Sequence, residues 1–560
     1  MNQPQFDFDT YLSYEEITEQ LRQLSREYPS LMSLDSMGKS YEGRNVWVVT
    51  VTDERTGPAE DKPAHYIDAN HHAGEVTGSM VALYLIRYLL VNYKQNDQVT
   101  NLVSRFTHYI VPRISPDGSE KYLTSPHSLR SSVRLWPAQT EQSSGLQPED
   151  INGDGKILQM RVPDQSGGWK ISDKDPRLMV KRDPDEEGGE YYNLYTEGMI
   201  KDYDGVTVES APPRWGIDLN RNYPANWKDS RQQSGAGPYP LSEPETYNVA
   251  EFFADHPNIS AATSFHTTGG IYLRPPCVHS DAEMNMQDLG LFTELGRRAR
   301  NITGYPCESV WDAMTMDKKR PNCGSFVDFA YEMHGIVVFA PELWNLYERA
   351  GVDRKPLKER FLMSPQAKEE QDLKVLNWLD ENVPGAFHDW TSFEHPQLGE
   401  VEIGGIEGKF DLVNPPVEFL AQECHKNAMA ALSTSAALPM LKIDQFCGRQ
   451  ISDTQIYVLT AAVHNCGWLG TSATSKGRNI FSDGPEFVLH LPERVELIKG
   501  DIRGSTGHLA GRSTASERTA VKNAEKIEWV VKGTDEDISN VKLEIKGERA
   551  GSPQKTLSLD

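Results

Sequence analysis

A histidine and a glutamate stand three residues apart in a turn where an apolar strand gives way to a helical pattern. The strand covers residues 65–69, the turn reads NHHAGE over residues 70–75, and the helical pattern begins at Val76. An imidazole and a carboxylate at this spacing, here His72 and Glu75, can face the same ion. Zinc in hydrolases commonly takes three such protein ligands and leaves a fourth position for water. Chance also produces this spacing often, so an ordinary polar turn is the alternative interpretation.

Three later segments place polar side chains beside apolar strands. They are GIDLNRNYP over residues 216–224, TSFH over residues 263–266 and GIVVFAPEL over residues 335–343. The order of these segments after the turn of residues 70–75, and their positions at strand ends, resemble the M14 family of zinc carboxypeptidases. The resemblance is to the branch that includes carboxypeptidases A and T, and it covers roughly residues 9–385 apart from an insertion.

The resemblance implies one zinc ion per chain, held by His72, Glu75 and His266. It places on Asp218 the carboxylate that orients a ligand imidazole in this family. Such a partner fixes the tautomer of the ring and raises its basicity. His71 also stands in the turn, and we expect it to pack or to form hydrogen bonds rather than to bind metal.

The resemblance also implies which groups act on the substrate. Glu342, at the end of an apolar strand, matches the general base that takes a proton from water and passes it to the leaving amine. The oxyanion formed during peptide cleavage needs a positive donor. The family's arginine for this role follows an Asn-Pro-Asp-Gly turn, which reads SPDG here over residues 115–118. We assign the role to Arg130, with Arg134 as the alternative, although Leu129 stands where the family has an aromatic residue.

Release of a C-terminal residue requires recognition of a free carboxylate, for which the planar fork of arginine is well suited. Asn220 and Arg221 match the family's pair for this purpose. The tyrosine of the family's mobile loop has no counterpart in residues 317–322, which carry two lysines and an arginine. Contact of these cations with an acidic substrate and a simply solvated loop are both open. Val327, near the specificity pocket, favours apolar or aromatic terminal residues.

A second candidate metal site lies in the run DINGDGKI of residues 150–157. Asp150, Asn152 and Asp154 have the alternate spacing of oxygen ligands in a calcium loop, and a glycine occupies the sixth position. The twelfth position is Arg161, where an EF-hand places glutamate. Calcium binding with other ligands and a turn rich in Asx side chains are the two alternatives.

These side chains need a scaffold to position them, and the chain supplies alternating strand and helix patterns. A capping box at Ser13 opens the first helix, and the alternation continues to an amphipathic helix that ends near Asn382. We therefore predict an α/β fold with a mixed, mostly parallel twisted sheet flanked by helices, as in zinc carboxypeptidases. From about residue 451, short strands separated by turn residues predict a C-terminal all-β, sandwich-like domain.

The predicted domains are a catalytic domain over residues 1–388, a helical connecting region over 389–450 and a β-sandwich-like accessory domain over 451–560. Residues 137–213 are rich in Gly, Pro, Asp and Glu and break the alternation. We expect this stretch to be an insertion folded over the catalytic domain. The triplet Asn-Pro-Pro of residues 414–416 predicts the cap and first turn of a helix in the connecting region.

The composition narrows the choice of partners. The 560 residues carry a formal net charge of −24, which makes nucleic acid and anionic membrane surfaces poor partners. No apolar run reaches the ~18–20 residues that span a bilayer. The polar, acidic start of the chain lacks a secretory signal, so a cytoplasmic location is favoured while secretion stays open. Six cysteines without a CxxC pair argue against a cysteine–zinc site, and a disulfide among Cys277, Cys307 and Cys323 stays open.

These observations favour a zinc metallocarboxypeptidase that releases the C-terminal residue of a peptide or protein with a free C-terminus. One alternative is an amidase of the same family that is specialised for cell-wall peptides or for γ-linked or polyglutamyl peptides. The other is a catalytically inactive peptide-binding protein in which the C-terminal sandwich does the work. The sequence predicts neither the preferred terminal residue nor the oligomeric state.

Overall fold

The computed structural model describes residues 8, 10–137, 143–452, 454–480, 483–514 and 521–559. The prediction that the start of the chain carries no secretory signal concerns residues that mostly lie outside the described ones. The same holds for residues 138–142 of the predicted insertion and for 453, 481–482, 515–520 and 560 of the predicted accessory domain.

The helices are, in chain order, α1 (Tyr14–Glu27), α2 (Val76–Asn92), α3 (Asp97–Arg105), α4 (Pro116–Thr124), α5 (Pro244–Asp255), α6 (Met286–Thr303), α7 (Val310–Met314), α8 (Phe326–Asp328), α9 (Leu346–Arg349), α10 (Leu357–Phe361), α11 (Pro365–Asn382), α12 (Val417–Ser435), α13 (Ser475–Ile480) and α14 (Asp535–Ile538).

The strands are, in chain order, β1 (Met32–Lys39), β2 (Asn45–Val51), β3 (Ala64–Ala69), β4 (Thr107–Val111), β5 (Gly145–Pro148), β6 (Gln159–Pro163), β7 (Trp169–Ile171), β8 (Met179–Lys181), β9 (Tyr192–Thr196), β10 (Gly198–Lys201), β11 (Ile259–Thr267), β12 (Ile271–Arg274), β13 (Cys307–Ser309), β14 (Val337–Leu343), β15 (Phe387–His395), β16 (Gly399–Ile406), β17 (Leu441–Gln450), β18 (Ile456–Asn465), β19 (Glu486–His490), β20 (Glu496–Lys499), β21 (Arg503–Ser505), β22 (Ala524–Lys532), β23 (Lys542–Lys546), β24 (Gln554–Thr556) and β25 (Ser558–Leu559).

An eight-stranded mixed sheet, the central sheet, has the order β1-β2-β4-β3-β11-β14-β12-β13. Within the described residues the pairs β4–β3, β3–β11, β11–β14 and β12–β13 are parallel. The pairs β1–β2, β2–β4 and β12–β14 are antiparallel. Strands β3 and β11 are buried at every position, as expected for central strands covered by helices on both faces. The predicted mixed, mostly parallel α/β fold is confirmed.

Two helices illustrate how local sequence sets the layers around the central sheet. At the start of α1 the Ser13 hydroxyl accepts from the Glu16 amide, and the Glu16 carboxylate accepts from the Ser13 amide at 2.8 Å, so the predicted capping box is confirmed. Helix α2 is apolar on nearly all sides because β3 and β11 pack on one side and α12 on another. A Cβ at Gly78 would lie 3.1 Å from the Phe265 carbonyl oxygen, so α2 approaches the sheet closely.

Among the described residues, no single helix has the length and apolar character needed to cross a membrane. The bent pair α2–α3 reaches that threshold only when its two members are taken together, by length and composition.

A second sheet joins the predicted insertion to residues that come about two hundred positions later. Its order is β15-β16-β6-β9-β7-β8, and β6 pairs antiparallel with both β9 and β16. Strands β5 and β10 form a separate two-stranded sheet. The stretch 389–450, predicted to be a helical connection, therefore contains strand residues of this second sheet as well as α12 and β17.

The C-terminal residues form two antiparallel sheets with a common apolar core. One has the order β20-β22-β18-β17-β25, where only β17–β25 is parallel, and the other β21-β19-β23-β24. Trp529 and Phe446 lie in the core between them. The predicted all-β character is confirmed, although its first strand begins at Leu441, ten residues earlier than predicted. Cys277, Cys307 and Cys323 are free thiols, so no disulfide links them.

The close packing of α4 predicts opposite effects for two glycine-to-alanine changes. A Cβ on Gly118 would stand 2.0 Å from the Ser131 carbonyl oxygen, whereas no heavy atom lies within 4 Å of a Cβ on Gly290 of α6. Gly118→Ala should lower the free energy of unfolding by about 1–3 kcal/mol, as overpacking does. Gly290→Ala should raise it by about 0.5–1 kcal/mol through helix propensity. Urea denaturation measures both, and equal effects would contradict the packing described for α4.

Candidate active site

The first candidate ligands are brought together by two adjacent parallel strands. Strand β3 ends at Ala69, and the turn of residues 70–75 then leads into α2. Strand β11 runs beside it with Phe265 paired to Ala69, so His266 lies next to the turn. Carboxyl ends of neighbouring parallel strands share one edge of a sheet, which is where α/β folds commonly build their sites.

Three side chains that can bind a metal converge at this edge. Nδ1 of His72 lies 2.7 Å from Oε1 of Glu75, and Nδ1 of His266 lies 2.8 Å from Oε2 of the same carboxylate. The two Nδ1 atoms are 3.1 Å apart. When both Nδ1 atoms present lone pairs, they repel each other at that distance unless positive charge lies between them. Two imidazoles and a carboxylate, all buried, suit a zinc ion, and so these residues fit the metal that the resemblance implies.

The outer ring nitrogens are held by other side chains. Nε2 of His72 lies 3.1 Å from Oδ1 of Asp218, the carboxylate expected at this place. Nε2 of His266 lies 3.3 Å from the Ser264 hydroxyl and 3.4 Å from the Asn220 amide nitrogen. An Nε2–H donated to Asp218 leaves the lone pair of His72 on Nδ1, directed at the other donors. Asp218 therefore sets the tautomer that metal binding requires.

Electrostatics tie these groups together. Burial opposes the charged form of Glu75, but His72 and His266 hold the pKa of this carboxyl below its ordinary value. Burial likewise opposes ionisation of Asp218, yet Arg130 and His72 keep its pKa well below the usual range. Burial lowers the pKa of His266. Both carboxylates are therefore ionised, and positive charge lies close to each of them.

Glu342 and Arg130 stand beside the three donors. Glu342 pairs with His266 across the parallel strands β11 and β14. Burial and the charge of Glu75 raise the pKa of Glu342 to about 8. The Arg130 guanidinium donates from Nε to Oδ2 of Asp218 at 3.0 Å, and its Nη1 lies 3.6 Å from Glu75. The side chain of Arg130 is 49% exposed, so it is fixed at its base and still open to solvent.

Asn220 and Arg221 are placed differently from each other. The side-chain oxygen Oδ1 of Asn220 accepts from the Phe326 amide at 2.8 Å, and the side-chain nitrogen of Asn220 faces His266. Arg221 donates to the backbone carbonyl of Asn220 and to the side chain of Asn322, and it forms no ion pair among the described residues. Of this pair, Arg221 is the one that lines the cleft and retains an uncompensated charge.

Two sets of predicted site residues have other partners in the structure. Arg134 donates from Nη1 to the buried carboxylate of Glu243 at 2.8 Å, and it is not among the cleft-lining residues of the described structure. In the loop of residues 150–157, Asp150 accepts from the backbone amides of residues 153 and 155. Asn152 and Asp154 accept from amides two residues on. These are Asx turns, and the described structure lends calcium binding no support.

The turn that carries His72 has supports that sequence reasoning missed. Asn414 accepts from the amide of Thr77 in the first turn of α2 and donates to the carbonyl of residue 74, so it caps α2 and not α12. No local signal could reveal this, because the partners are more than three hundred residues apart. Ser264, by contrast, lies two residues before His266 on the same strand face, and that spacing was a usable signal.

His71, expected to form hydrogen bonds, does so. Its Nε2 lies 2.8 Å from the Tyr223 hydroxyl and its Nδ1 lies 3.2 Å from the Ser264 hydroxyl. In the loop of residues 317–322 the three cationic side chains are exposed, and Lys318 donates to the Trp311 carbonyl. None of the three is among the cleft-lining residues of the described structure.

The donors open into a cleft of about 1500 Å³. His72, Glu75, Arg130, Arg221 and Glu342 line one part of it. Residues of the second sheet and of α11 also contribute to the lining, together with residues 126–129, 211–216, 408–409 and 412–413. The insertion is therefore part of the wall of the site and does not lie elsewhere on the surface.

Comparison with known proteins identifies the family of the chain. The family model for zinc carboxypeptidases matches residues 17–350, which is more than half of the chain. The chain therefore belongs to the zinc carboxypeptidase family. A second family, described only as a domain of unknown function, matches residues 440–558.

The relatives match in part. Human carboxypeptidase D is 34% identical over 111 residues, which cover 20% of this chain and 8% of that protein. Carboxypeptidase B of Astacus astacus is 24% identical over 284 residues, which cover 50% of this chain and 70% of that protein. The solved carboxypeptidase A from Helicoverpa armigera is 17% identical, with a TM-score of 0.39, over 67% of this chain and 73% of that one. A structural likeness of that strength adds no argument of its own.

The contact between Asp218 and His72 predicts a loss of metal affinity on removal of one charge. Asp218→Asn should weaken zinc binding by about 10–100-fold, the usual effect of changing the group behind a ligand imidazole. Competition against a chromogenic chelator measures the dissociation constant. Asp229→Asn, which changes a carboxylate paired with exposed Arg231, is the matched control and should leave it unchanged. Equal affinity of the Asp218→Asn chain and the native chain would contradict the tautomer argument.

Proposed function

We propose that this chain is a zinc-dependent metallocarboxypeptidase that hydrolyses the C-terminal peptide bond of peptides. The observation that carries the proposal is the convergence of His72, Glu75 and His266 at one end of a cleft that Glu342 and Arg221 also line. Membership of the zinc carboxypeptidase family supports the same reaction class.

His72 and His266 would hold the zinc ion through Nδ1, and Glu75 through its carboxylate. A zinc ion bound there supplies electrophilic activation of the scissile carbonyl and of water. Glu342 then acts as the general base: its carboxylate takes a proton from the attacking water and delivers it to the leaving amine. The positive charges of His72, Arg130 and Arg221 oppose the rise in the pKa of Glu342 and so favour the ionised carboxylate that the first of these transfers requires.

Arg130 is assigned to the oxyanion. Its Nε is fixed by Asp218 at 3.0 Å, so the guanidinium is oriented before substrate arrives, while half of its side chain remains exposed to the cleft. A positioned charged donor of this kind is most useful where negative charge develops in the transition state.

Arg221 is assigned to the terminal carboxylate of the substrate. It has no acidic partner among the described residues, and its contacts with the Asn220 carbonyl and Asn322 hold it in place. The side-chain oxygen of Asn220 already accepts from the Phe326 amide, so we give the carboxylate to Arg221 and a supporting role to Asn220. This unpaired charge favours an exopeptidase over an amidase that needs no terminal carboxylate.

The role of the base predicts a separation of turnover from metal content. Glu342→Gln should lower kcat by about 10²–10⁴-fold, the usual share of general acid–base catalysis, because the amide cannot accept the proton. Zinc should stay near one ion per chain, since Glu342 is not a ligand. His266→Ala should lose the zinc as well as the activity. Metal analysis beside a residue-release assay checks both, and near-normal turnover of the Glu342→Gln chain would refute the assignment.

The role of Arg221 predicts dependence on a free C-terminus. Arg221→Met should lower kcat/KM about 30-fold or more for peptides with a free carboxylate, since loss of one partner of a buried charge pair costs about 2–5 kcal/mol. Peptides that end in a carboxamide should be poor substrates of both chains. Arg231→Met, at an arginine whose side chain is 90% exposed, is the control. If Arg221→Met left cleavage of free-carboxylate peptides unchanged, the amidase alternative would take over.

A further inference from the structure

The second sheet has two unlike faces. One face carries a closed apolar core of its own, formed by Met160 of β6 and by Val401 and Ile403 of β16 together with Leu158. Side chains alternate between the faces of a strand, so neighbours of these residues point the other way. That opposite side opens into the cleft that contains the candidate ligands, and each of the six strands contributes to its lining: Gln159, Trp169, Met179, Leu194, Phe387 and Ile406.

The cleft-facing wall is mainly apolar. Trp169, Met179 and Leu194 are only half-buried, so each leaves apolar surface facing the cavity. Exposed apolar surface that continues into a candidate catalytic site indicates a place where apolar parts of a ligand bind and are shielded from water.

The charged groups of the wall are already compensated. Arg177 forms ion pairs with Asp175 and Asp380, both at 2.8 Å. Lys368 pairs with Asp372 at 2.8 Å. A charged ligand that contacts only the second sheet and α11 would have to break these pairs to gain a partner, whereas an apolar ligand would not. Arg214 and Lys409 also line the cleft, but they belong neither to the strands of this sheet nor to α11. The wall therefore favours apolar side chains.

The cleft also dictates the direction of a bound peptide. A substrate whose terminal carboxylate meets Arg221 and whose last peptide bond meets Glu342 fills the end of the cleft with its C-terminal residue. The residues that precede this bond must then leave along the remainder of the cavity, which the second sheet lines.

We propose that the cleft face of the second sheet is a subsite wall that binds the residues upstream of the scissile bond, and that it selects peptides whose upstream residues are apolar or aromatic. This inference rests on the proposed function and deepens it. It makes the insertion a specificity element, with Trp169 and Leu194 as residues that determine the preference.

The test uses N-acetylated peptides that share their last two residues, the second of them being the residue released fastest. A dipeptide is compared with pentapeptides whose three upstream residues are Leu and Phe, Gly and Ser, or Glu. In the native zinc-loaded chain, kcat/KM should be about tenfold higher for the apolar pentapeptide than for the other pentapeptides and the dipeptide. Coverage of one apolar side chain by the wall accounts for that ratio.

Trp169→Ser and Leu194→Ser should each lower kcat/KM about tenfold for the apolar pentapeptide. For the dipeptide, kcat/KM should stay within about twofold of its value in the native chain. Met286→Ser is the matched control, because Met286 is 85% exposed at the start of α6 and is not a cleft-lining residue of the described structure. Equal losses on dipeptide and pentapeptide, or a preference of the native chain for the Glu-containing pentapeptide, would overturn the proposal.

Binding without turnover separates this proposal from the one it rests on. The zinc-loaded Glu342→Gln chain is titrated with the fluorescently labelled apolar pentapeptide, alone and combined with Trp169→Ser. Adding Trp169→Ser should raise the dissociation constant of the pentapeptide about tenfold. An unchanged constant would overturn the proposal that the second sheet forms a subsite wall. If the native chain released no residue from any peptide, only the proposed reaction would fail, and this titration would still decide the wall.

Discussion

Two imidazole nitrogens 3.1 Å apart, both beside one buried carboxylate, are the arrangement on which the rest of the structure depends. When both Nδ1 atoms present lone pairs in a low-dielectric site, this juxtaposition is unfavourable unless positive charge lies among the atoms. The surrounding residues can keep both lone pairs directed inward, because Asp218 lies 3.1 Å from Nε2 of one ring and the Ser264 hydroxyl lies 3.3 Å from Nε2 of the other. A divalent cation would supply the missing charge, and membership of the zinc carboxypeptidase family implies zinc.

Distant parts of the chain keep these atoms in register. The parallel pairing of β3, β11 and β14 sets His266 beside the turn and opposite Glu342. The amide of residue 73 donates to the Arg130 carbonyl, so a backbone hydrogen bond joins the turn of residues 70–75 to the segment that carries Arg130. Asn414, which follows the last strand of the second sheet in the sequence, caps α2. The geometry of a few atoms thus rests on contacts that span most of the chain.

Local patterns made part of this predictable. The capping box at Ser13 and the buried strands around His72 and His266 are signals within a few residues, and the structure agrees with them. The second sheet was not predictable in this way, because β6 pairs with β16 about 240 residues later and its strands are short. The ion pair of Arg134 was not predictable either, because its partner Glu243 is remote in sequence and buried. The loop at Asp150 has the spacing of a calcium site, yet its oxygens are taken up by its own amides.

X-ray absorption at the zinc edge of the purified chain tests the central claim most directly, because it reports the atoms bound to the metal. The account predicts one zinc ion with nitrogen and oxygen neighbours at about 2.0–2.2 Å, two of them showing the outer-shell scattering of imidazole. The chain contains six cysteines, so zinc bound to a thiolate instead of the predicted ligands would be visible. A sulfur neighbour at about 2.3 Å, or scattering from a single imidazole, would contradict it.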